Sequence, residues 1–208
     1  MEKEKNKNGK RNGKDREYHY NEKLKFEGEY INNQRNGKGK EYYNNGNLKF
    51  EGEYLNGKIC NGKGFNKNNK ILYKIKEGKG FVIEYNDYDS LIFEGEYKNG
   101  ERNGKGKEFS EDKIIFQGEY LNGERNGKAK EYQNKKLIFE VEYMKGKRNG
   151  YGKIYNVDNG ILIFEGEFYN GRKWNWKGKE YYFGKLTFEG EYINGEKMEL
   201  QGDIMNIN

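Results

Sequence analysis

The stretch Phe26-Glu27-Gly28-Glu29-Tyr30, followed by Arg35-Asn36-Gly37-Lys38-Gly39-Lys40-Glu41-Tyr42, decides the fold. The first half returns with a phenylalanine at six further starts, and a degenerate copy begins at Tyr73. The starts are Phe26, Phe50, Tyr73, Phe93, Phe116, Phe139, Phe164 and Phe188, and successive starts lie 20 to 25 residues apart. Such a period is typical of repeat architectures, in which each unit packs against its neighbours.

Each repeat predicts two β-strands joined by a turn. Phe26, Gly28 and Tyr30 alternate with two glutamates, which is the period of a strand with two different faces. Lys38 and Lys40 alternate with glycines in the same way. Asn-Gly pairs follow the first strand in most copies, and both residues tolerate the positive φ of a tight hairpin turn. The chain therefore predicts a series of β-hairpins.

The two faces of these hairpins differ in chemistry. If Glu27 and Glu29 share a face with Lys38 and Lys40, a ladder of opposite charges covers that face, and each cross-strand pair contributes about 0.2–1 kcal/mol. On the other face aromatic rings lie over glycines, which allow the close approach. The predicted fold class is all-β: an elongated single antiparallel sheet of tandem β-hairpins.

A known family shows this pattern. FEGEY-x-NG-x-RNGKGKEYY resembles the MORN repeat, whose consensus runs roughly YEGEW-x-NG-x-x-x-GxGxY, and the resemblance covers about residues 9–198 in roughly eight units. It implies a scaffold or dimerisation module, and binding of phosphoinositide headgroups is a second role proposed for the family. The stretch from Asn45 to Tyr54 also resembles the bacterial MORN variant of YwqK-type proteins, which implies an antitoxin or immunity role.

The charge distribution divides the chain. Residues 1–16 hold seven basic and three acidic side chains, a net +4, which leaves +2 of the total +6 for all the rest. We expect a basic N-terminal tail and the start of a half repeat in residues 1–16, a repeat array in 17–198, and a C-terminal cap or tail in 199–208. The nearly neutral array lacks the basic face that a nucleic-acid partner requires, so none is expected.

The tail predicts weak attachment to an anionic membrane surface, because each basic residue near such a surface contributes about 1 kcal/mol. The candidate membrane-binding residues are Lys3, Lys5, Lys7, Lys10, Arg11 and Lys14.

Side chains that carry catalysis are scarce. The chain has one histidine, His19, and one cysteine, Cys60, so no pair of either is available to hold zinc. We expect no catalytic residue, metal or cofactor, and hence no enzyme. The single cysteine and the lack of an apolar run near 20 residues favour the cytoplasm, with peripheral attachment to a membrane as the alternative.

Two repeats depart from the pattern, and departures often mark function. The third reads Tyr73-Lys74-Ile75-Lys76 and gains residues around Tyr88, which indicates either neutral drift with a kink or a partner-binding patch. The seventh carries both tryptophans, Trp174 and Trp176, which indicate either packing over glycines or a binding hot spot. The candidate partner-binding residues are thus Tyr73, Tyr88, Trp174 and Trp176.

These observations favour a non-catalytic scaffold or protein–protein interaction module. Its partner is another protein, or a second copy that pairs through the exposed end strands. The alternatives are a peripheral membrane protein that binds phosphoinositides and an antitoxin or immunity-type protein.

Overall fold

A computed structural model of the chain describes residues 10–88, 90–174, 177–193 and 196–198. In these residues the chain forms strands and turns, with no helix. The strands pair antiparallel, and neighbours in a sheet are neighbours in sequence, except at one short strand of the seventh repeat. The predicted all-β array of tandem hairpins is confirmed.

The chain divides into two compact units. The first reaches Ile114 and also holds Tyr120–Gly123, and the second holds Ile115–Glu119 and the residues from Glu124 onward. The strands of the first unit are β1 (Gly13–Tyr18), β2 (Leu24–Ile31), β3 (Gln34–Tyr42), β4 (Leu48–Leu55), β5 (Lys58–Phe65), β6 (Ile71–Ile75), β7 (Gly80–Tyr85), β8 (Leu91–Lys98) and β9 (Glu101–Ser110). Residues of β10 (Lys113–Leu121) belong to both units.

The second unit continues with the same hairpin pattern. Its strands are β11 (Glu124–Gln133), β12 (Lys136–Met144), β13 (Lys147–Tyr155), β14 (Leu162–Tyr169), β15 (Arg172–Lys173), β16 (Lys177–Tyr182), β17 (Lys185–Ile193) and β18 (Glu196–Met198). Both β15 and β16 pair with β14, because the second strand of this repeat is interrupted.

Within the first unit the sheet is interrupted at the irregular third repeat. Strands β1 to β6 form one sheet, and β7 begins another, so the strands do not form the single sheet that the sequence predicts. A two-residue turn, Glu77-Gly78, separates β6 from β7, and the two strands share only the bridge between Lys76 and Lys79. Ile75 and Val82 are buried on either side of this break and belong to the core.

The observed register gives the two faces that the alternation predicts. Glu27 pairs with Lys40, and Lys40 also pairs with Glu51 of the next strand. Gly28 pairs with Gly39 in the same ladder. A Cβ atom added to Gly39 would lie 2.6 Å from the ring of Phe26, so the ring requires the glycine.

Phenylalanine rings form the core of most repeats. Phe26, Phe93 and Phe116 are fully buried, and Phe164 nearly so. The ring centroid of Phe26 lies 5.6 Å from that of Tyr30 in its own strand and 5.3 Å from that of Tyr54 two strands away, both edge to face. Such aromatic pairs contribute about 0.5–1.5 kcal/mol beyond the area that they bury, so the rings link neighbouring repeats.

Candidate interaction surfaces

The aromatic face is closed by cationic side chains of its own strands. The guanidinium carbon of Arg35 lies 3.9 Å from the ring centroid of Phe26, and that of Arg102 lies 4.0 Å from Phe93. The same contact recurs at Arg125 over Phe116, Arg148 over Phe139 and Lys173 over Phe164. The large rings of this face are therefore covered within the chain.

Carboxylates hold Arg35, Arg102 and Arg148 in place. Arg148 donates from Nε to Glu131 Oε1 at 2.6 Å and from Nη2 to Oε2 at 2.7 Å, and the Tyr143 hydroxyl donates to Oε1 at 2.7 Å. Burial raises the pKa of the Glu131 carboxyl, but the hydrogen bonds from Arg148 and Tyr143 outweigh it and leave the pKa below its ordinary value. The contacts of Glu84 with Tyr97 and Arg102 are the same.

Sequence reasoning missed this network, although the alternation contains its signal. Arg35 and Glu41 stand at the same parity as Gly37 and Gly39, which the alternation assigns to the aromatic face. The burial of both charged side chains against that face follows from this parity.

The opposite face, which we call the charged face, carries the predicted Glu–Lys ladder. Lys107 Nζ lies 2.9 Å from Glu94, and Lys130 Nζ lies 2.9 Å from Glu140. In the first unit this face forms a groove of about 1010 Å³ across β1 to β5. Five basic and five acidic side chains line it, so its charge is balanced and favours neither an anion nor a cation.

Exposed apolar side chains recur beside the hairpin turns. Each directly follows the five-residue phrase of its strand and lies about half exposed at the turn. In the first unit these residues are Ile31, Leu55 and Leu121, and in the second Met144 and Tyr169; we call them the apolar turn row. Ile31 and Leu55 lie on alternate strands, about 10 Å apart by the spacing of strands. The signal is present in the sequence, because an apolar residue recurs at one position of the repeat.

The charged face of the second unit is interrupted by aromatic residues. Tyr151 stands where other copies have a lysine, and it pairs in register with Glu167. Trp174 lies on the other side of Glu167, since its backbone N–H donates to the Glu167 carbonyl at 3.0 Å. Its ring centroid lies 4.8 Å from that of Tyr169. Tyr151, Glu167, Tyr169 and Trp174 thus form one cluster, which we call the aromatic patch.

The four predicted partner-binding residues fall in different environments. Tyr73 packs against the core cluster of the first unit with its ring over Gly64. Burial raises the pKa of its hydroxyl, and the carboxylates of Glu41 and Glu84 raise it further. Tyr88 is exposed on the turn after β7, Trp174 belongs to the aromatic patch, and Trp176 lies outside the described residues.

The structure describes only some of the predicted membrane-binding residues. Lys3, Lys5 and Lys7 lie outside the described residues, and Lys10 is exposed. Arg11 lies 3.3 Å from Asp15 and 3.5 Å from Glu17, and Lys14 lines the groove in register with Glu29. Arg11 and Lys14 therefore lie beside acidic residues of β1 and β2.

His19 connects two turns of the first unit. Its Nε2 lies 3.0 Å from the carbonyl oxygen of Tyr42, and its Nδ1 lies 4.0 Å from a carboxylate oxygen of Asp87. Its side chain is buried, so the contacts indicate a structural role. In the part of the chain that the structure describes, no cluster of three or more His, Cys, Asp or Glu residues could hold a metal ion.

Comparison with known families identifies the same repeat. The MORN repeat family matches residues 26–48, 93–113, 116–135 and 142–161. The chain is a MORN-repeat protein. MORN repeats are in general protein- or membrane-interaction modules without catalytic activity. No curated protein matches this MORN-repeat chain. Among its described residues there is no helix that could span a membrane.

Proposed function

We propose that this MORN-repeat chain is a non-catalytic scaffold that binds another protein through its apolar turn row. The aromatic face supports this assignment by exclusion, because its rings are buried under Arg35 and its equivalents. The groove on the charged face of the first unit adds little net attraction, because its charges are balanced.

The apolar turn row is the observation that carries the proposal. Single exposed apolar residues are normal on a protein surface, but here one position of the repeat is apolar and half exposed in five copies. The position is held by Gly78 in the third copy and by Lys98 in the fourth. A partner that lies along the turns of one unit would cover several of these side chains, and burial of each contributes at most about 1.5–3 kcal/mol.

The turns form a preordered surface, because backbone hydrogen bonds connect each turn to the preceding repeat. The N–H of Gly57 donates to the carbonyl of Arg35 at 2.8 Å, and that of Gly123 donates to the carbonyl of Arg102 at 2.9 Å. In the second unit Gly171 donates to Arg148 at 2.9 Å. Within each unit the backbone therefore fixes the spacing of the row, so a partner would lose little entropy in ordering this surface.

The test compares proteins captured from the source cells by the full chain and by the variant Ile31→Ser/Leu55→Ser/Leu121→Ser/Met144→Ser. A matched control, Ile71→Ser/Phe81→Ser, removes two exposed apolar side chains outside the row. We expect the row variant to lose a partner that the wild type and the control both retain, and purified partner to bind the wild type in calorimetry. An identical set of captured proteins for all three would refute the proposal.

Self-association through β1, whose pairing among the described strands is with β2 alone, would appear in the same samples. Light scattering would then show a dimer at high concentration that the row variant retains. That result would assign the interaction to the end strand and not to the turns.

A further inference from the structure

The charged face of the first unit loses its alternation of charges at the third repeat. From β1 to β5, one row of residues paired in register alternates in sign: Arg16, Glu27, Lys40, Glu51 and Lys63. The next residue of this row, on β6, is Lys74, which pairs in register with Lys63. Two cations therefore stand side by side, whereas each earlier step of the row joins opposite charges.

Two further lysines extend this group. Lys76 follows Lys74 at a spacing of two residues, so both lie on the same face of the chain. Lys76 forms an antiparallel bridge with Lys79 across the turn Glu77-Gly78, and residues opposite each other in such a pair share a face. We call Lys63, Lys74, Lys76 and Lys79 the lysine cluster, and all four are exposed.

Folding alone does not explain the lysine cluster. Like charges directly opposite each other on neighbouring strands are destabilising. In regular copies the positions of Lys74 and Lys76 hold glutamates. Glu51, in register with Lys63, also faces Lys40 on its other side. Among the side chains that the structure describes, none forms an ion pair with a member of the cluster, so its positive charge is not neutralised by the fold.

The spacing of the cluster fits an extended acidic segment. Lys74 and Lys76 lie about 6.6 Å apart along the chain, which is the distance between alternate residues of any extended segment. The Cβ atoms of Lys63 and Lys74 lie about 5 Å apart across the ladder. A segment with acidic residues at alternate positions would therefore place one carboxylate near each of Lys74 and Lys76. The long, flexible side chains of Lys63 and Lys79 can reach the same carboxylates.

The surroundings of the cluster favour such a segment over a membrane surface. Acidic residues flank the lysines on the charged face and in the turn: Glu51 and Glu53 on β4, Glu77 in the turn, and Glu94 and Glu96 on β8. A continuous anionic surface would meet these carboxylates together with the lysines, and repulsion would offset much of the attraction. A short segment can match its few charges to the cluster alone.

We propose that the lysine cluster binds a short acidic segment of a partner protein. The segment lies in extended form over the charged face of β6, with its carboxylates at the ammonium groups of the lysines. The inference goes beyond the proposed role of the apolar turn row, because it concerns another surface and names the charge of the ligand. The variant that tests the turn row leaves all four lysines in place, so the two tests fail independently.

The experiment titrates the full, isotope-labelled chain with the peptide acetyl-Gly-Glu-Gly-Glu-Gly-Glu-Gly-amide at physiological salt and follows the backbone amide signals by nuclear magnetic resonance. The matched peptide has glutamine in place of each glutamate. The test variant is Lys63→Gln/Lys74→Gln/Lys76→Gln. The control variant, Lys130→Gln/Lys153→Gln/Lys179→Gln, removes the same charge from three lysines that have ion-pair partners, which are Glu140, Glu165 and Glu189.

We expect saturable shifts of amide signals in β5 to β7 with the glutamate peptide and none with the glutamine peptide. The test variant should weaken binding about 3- to 150-fold, the product of three exposed ion pairs if their contributions add. The control variant should weaken it by less than about twofold, because charges farther than about 8 Å from the ligand are largely screened.

A single substitution separates binding from folding. Lys74→Glu restores the charge that other copies carry at this position and places it opposite Lys63. We therefore expect Lys74→Glu to raise the melting temperature while it weakens binding of the glutamate peptide. A variant that bound less because it was poorly folded would melt at a lower temperature instead.

Several results would overturn the inference. They are equal binding of the two peptides, equal weakening in the test and control variants, and shifts confined to the basic tail, residues 1–16. A lower melting temperature of Lys74→Glu would show that the cluster serves the fold. Co-sedimentation with vesicles of phosphatidylcholine and phosphatidylserine that the test variant loses, without binding of the glutamate peptide, would assign the cluster to a membrane. None of these results bears on capture through the turn row.

Discussion

Replacement of Glu131 by glutamine tests the network that closes the aromatic face. The carboxylate accepts three hydrogen bonds, two from Arg148 at 2.6 and 2.7 Å and one from Tyr143 at 2.7 Å. Glutamine keeps the shape of the side chain but removes its charge and replaces one acceptor oxygen with an amide that donates. Arg148 would then remain over Phe139 without its counter-charge.

The stability that Glu131→Gln is expected to lose lies between the values for a buried and for an exposed ion pair. The side chains of Arg148 and Glu131 are 28% and 13% exposed. Loss of one partner costs about 3–5 kcal/mol for a buried pair, and an exposed pair contributes about 0–1 kcal/mol. Hydrogen bonds to charged groups contribute about 1.5–3 kcal/mol in net terms, so we expect Glu131→Gln to lower the local free energy of unfolding by about 2–3 kcal/mol.

Amide hydrogen exchange in β11 to β13 is the appropriate assay, because a repeat array does not unfold as one two-state unit. The matched control is Glu189→Gln on the charged face of the same unit. Its partner, Lys179, lies 3.3 Å away, and the two side chains are 54% and 41% exposed. We expect a much smaller loss there, because an exposed ion pair contributes little.

The pH dependence gives a second check. Since the folded pKa of Glu131 lies below its ordinary value of 4.5, the stabilisation is present above that value and is lost as the pH falls through the folded pKa. The difference between wild type and Glu131→Gln should therefore shrink in acid. A difference at pH 7 no larger than that of Glu189→Gln, or one that persists unchanged in acid, would refute the assigned network.

Two further predictions concern the core and the tail. Phe93→Ala should lower stability by about 3–5 kcal/mol, because the ring is fully buried, whereas Phe81→Ala at an exposed position should change it by no more than about 0.5 kcal/mol; equal losses in thermal melts would contradict the assigned core. Replacement of Lys3, Lys5, Lys7, Lys10 and Lys14 by glutamine should abolish any co-sedimentation with anionic vesicles at low salt, and undiminished pelleting would place a lipid site in the repeats.

The strands and their faces follow from the sequence because both depend on local alternation. Phe26, Gly28 and Tyr30 must share a face in any strand, and the glycines then mark where a ring approaches the backbone. The register of Glu27 with Lys40 follows from the same pattern and is confirmed. These features need no knowledge of distant parts of the chain.

The sheet break and the aromatic patch depend on contacts that local patterns do not contain. A two-residue turn at Glu77-Gly78 predicts a short hairpin, but not that β6 and β7 share a single bridge. At Trp174 the repeat is one residue longer than elsewhere. The contact of Lys173 with Phe164 matches that of Arg35 with Phe26 and assigns Trp174 to the charged face. The alternation alone leaves its face undecided.

Nitration of tyrosines by tetranitromethane, mapped by mass spectrometry, most directly tests the claim that the aromatic face is closed. The reagent attacks the phenolate, so burial and a raised pKa both protect a ring. Tyr30, Tyr54 and Tyr143 are buried, and burial raises the pKa of each hydroxyl, as does the carboxylate beside it. Tyr18, Tyr20, Tyr88 and Tyr182 are exposed.

We expect the exposed group to be modified first and the buried group only when the protein is denatured. Modification of Tyr30, Tyr54 and Tyr143 at the same rate as Tyr88 in the native chain would show that the aromatic face is open, and would contradict the account.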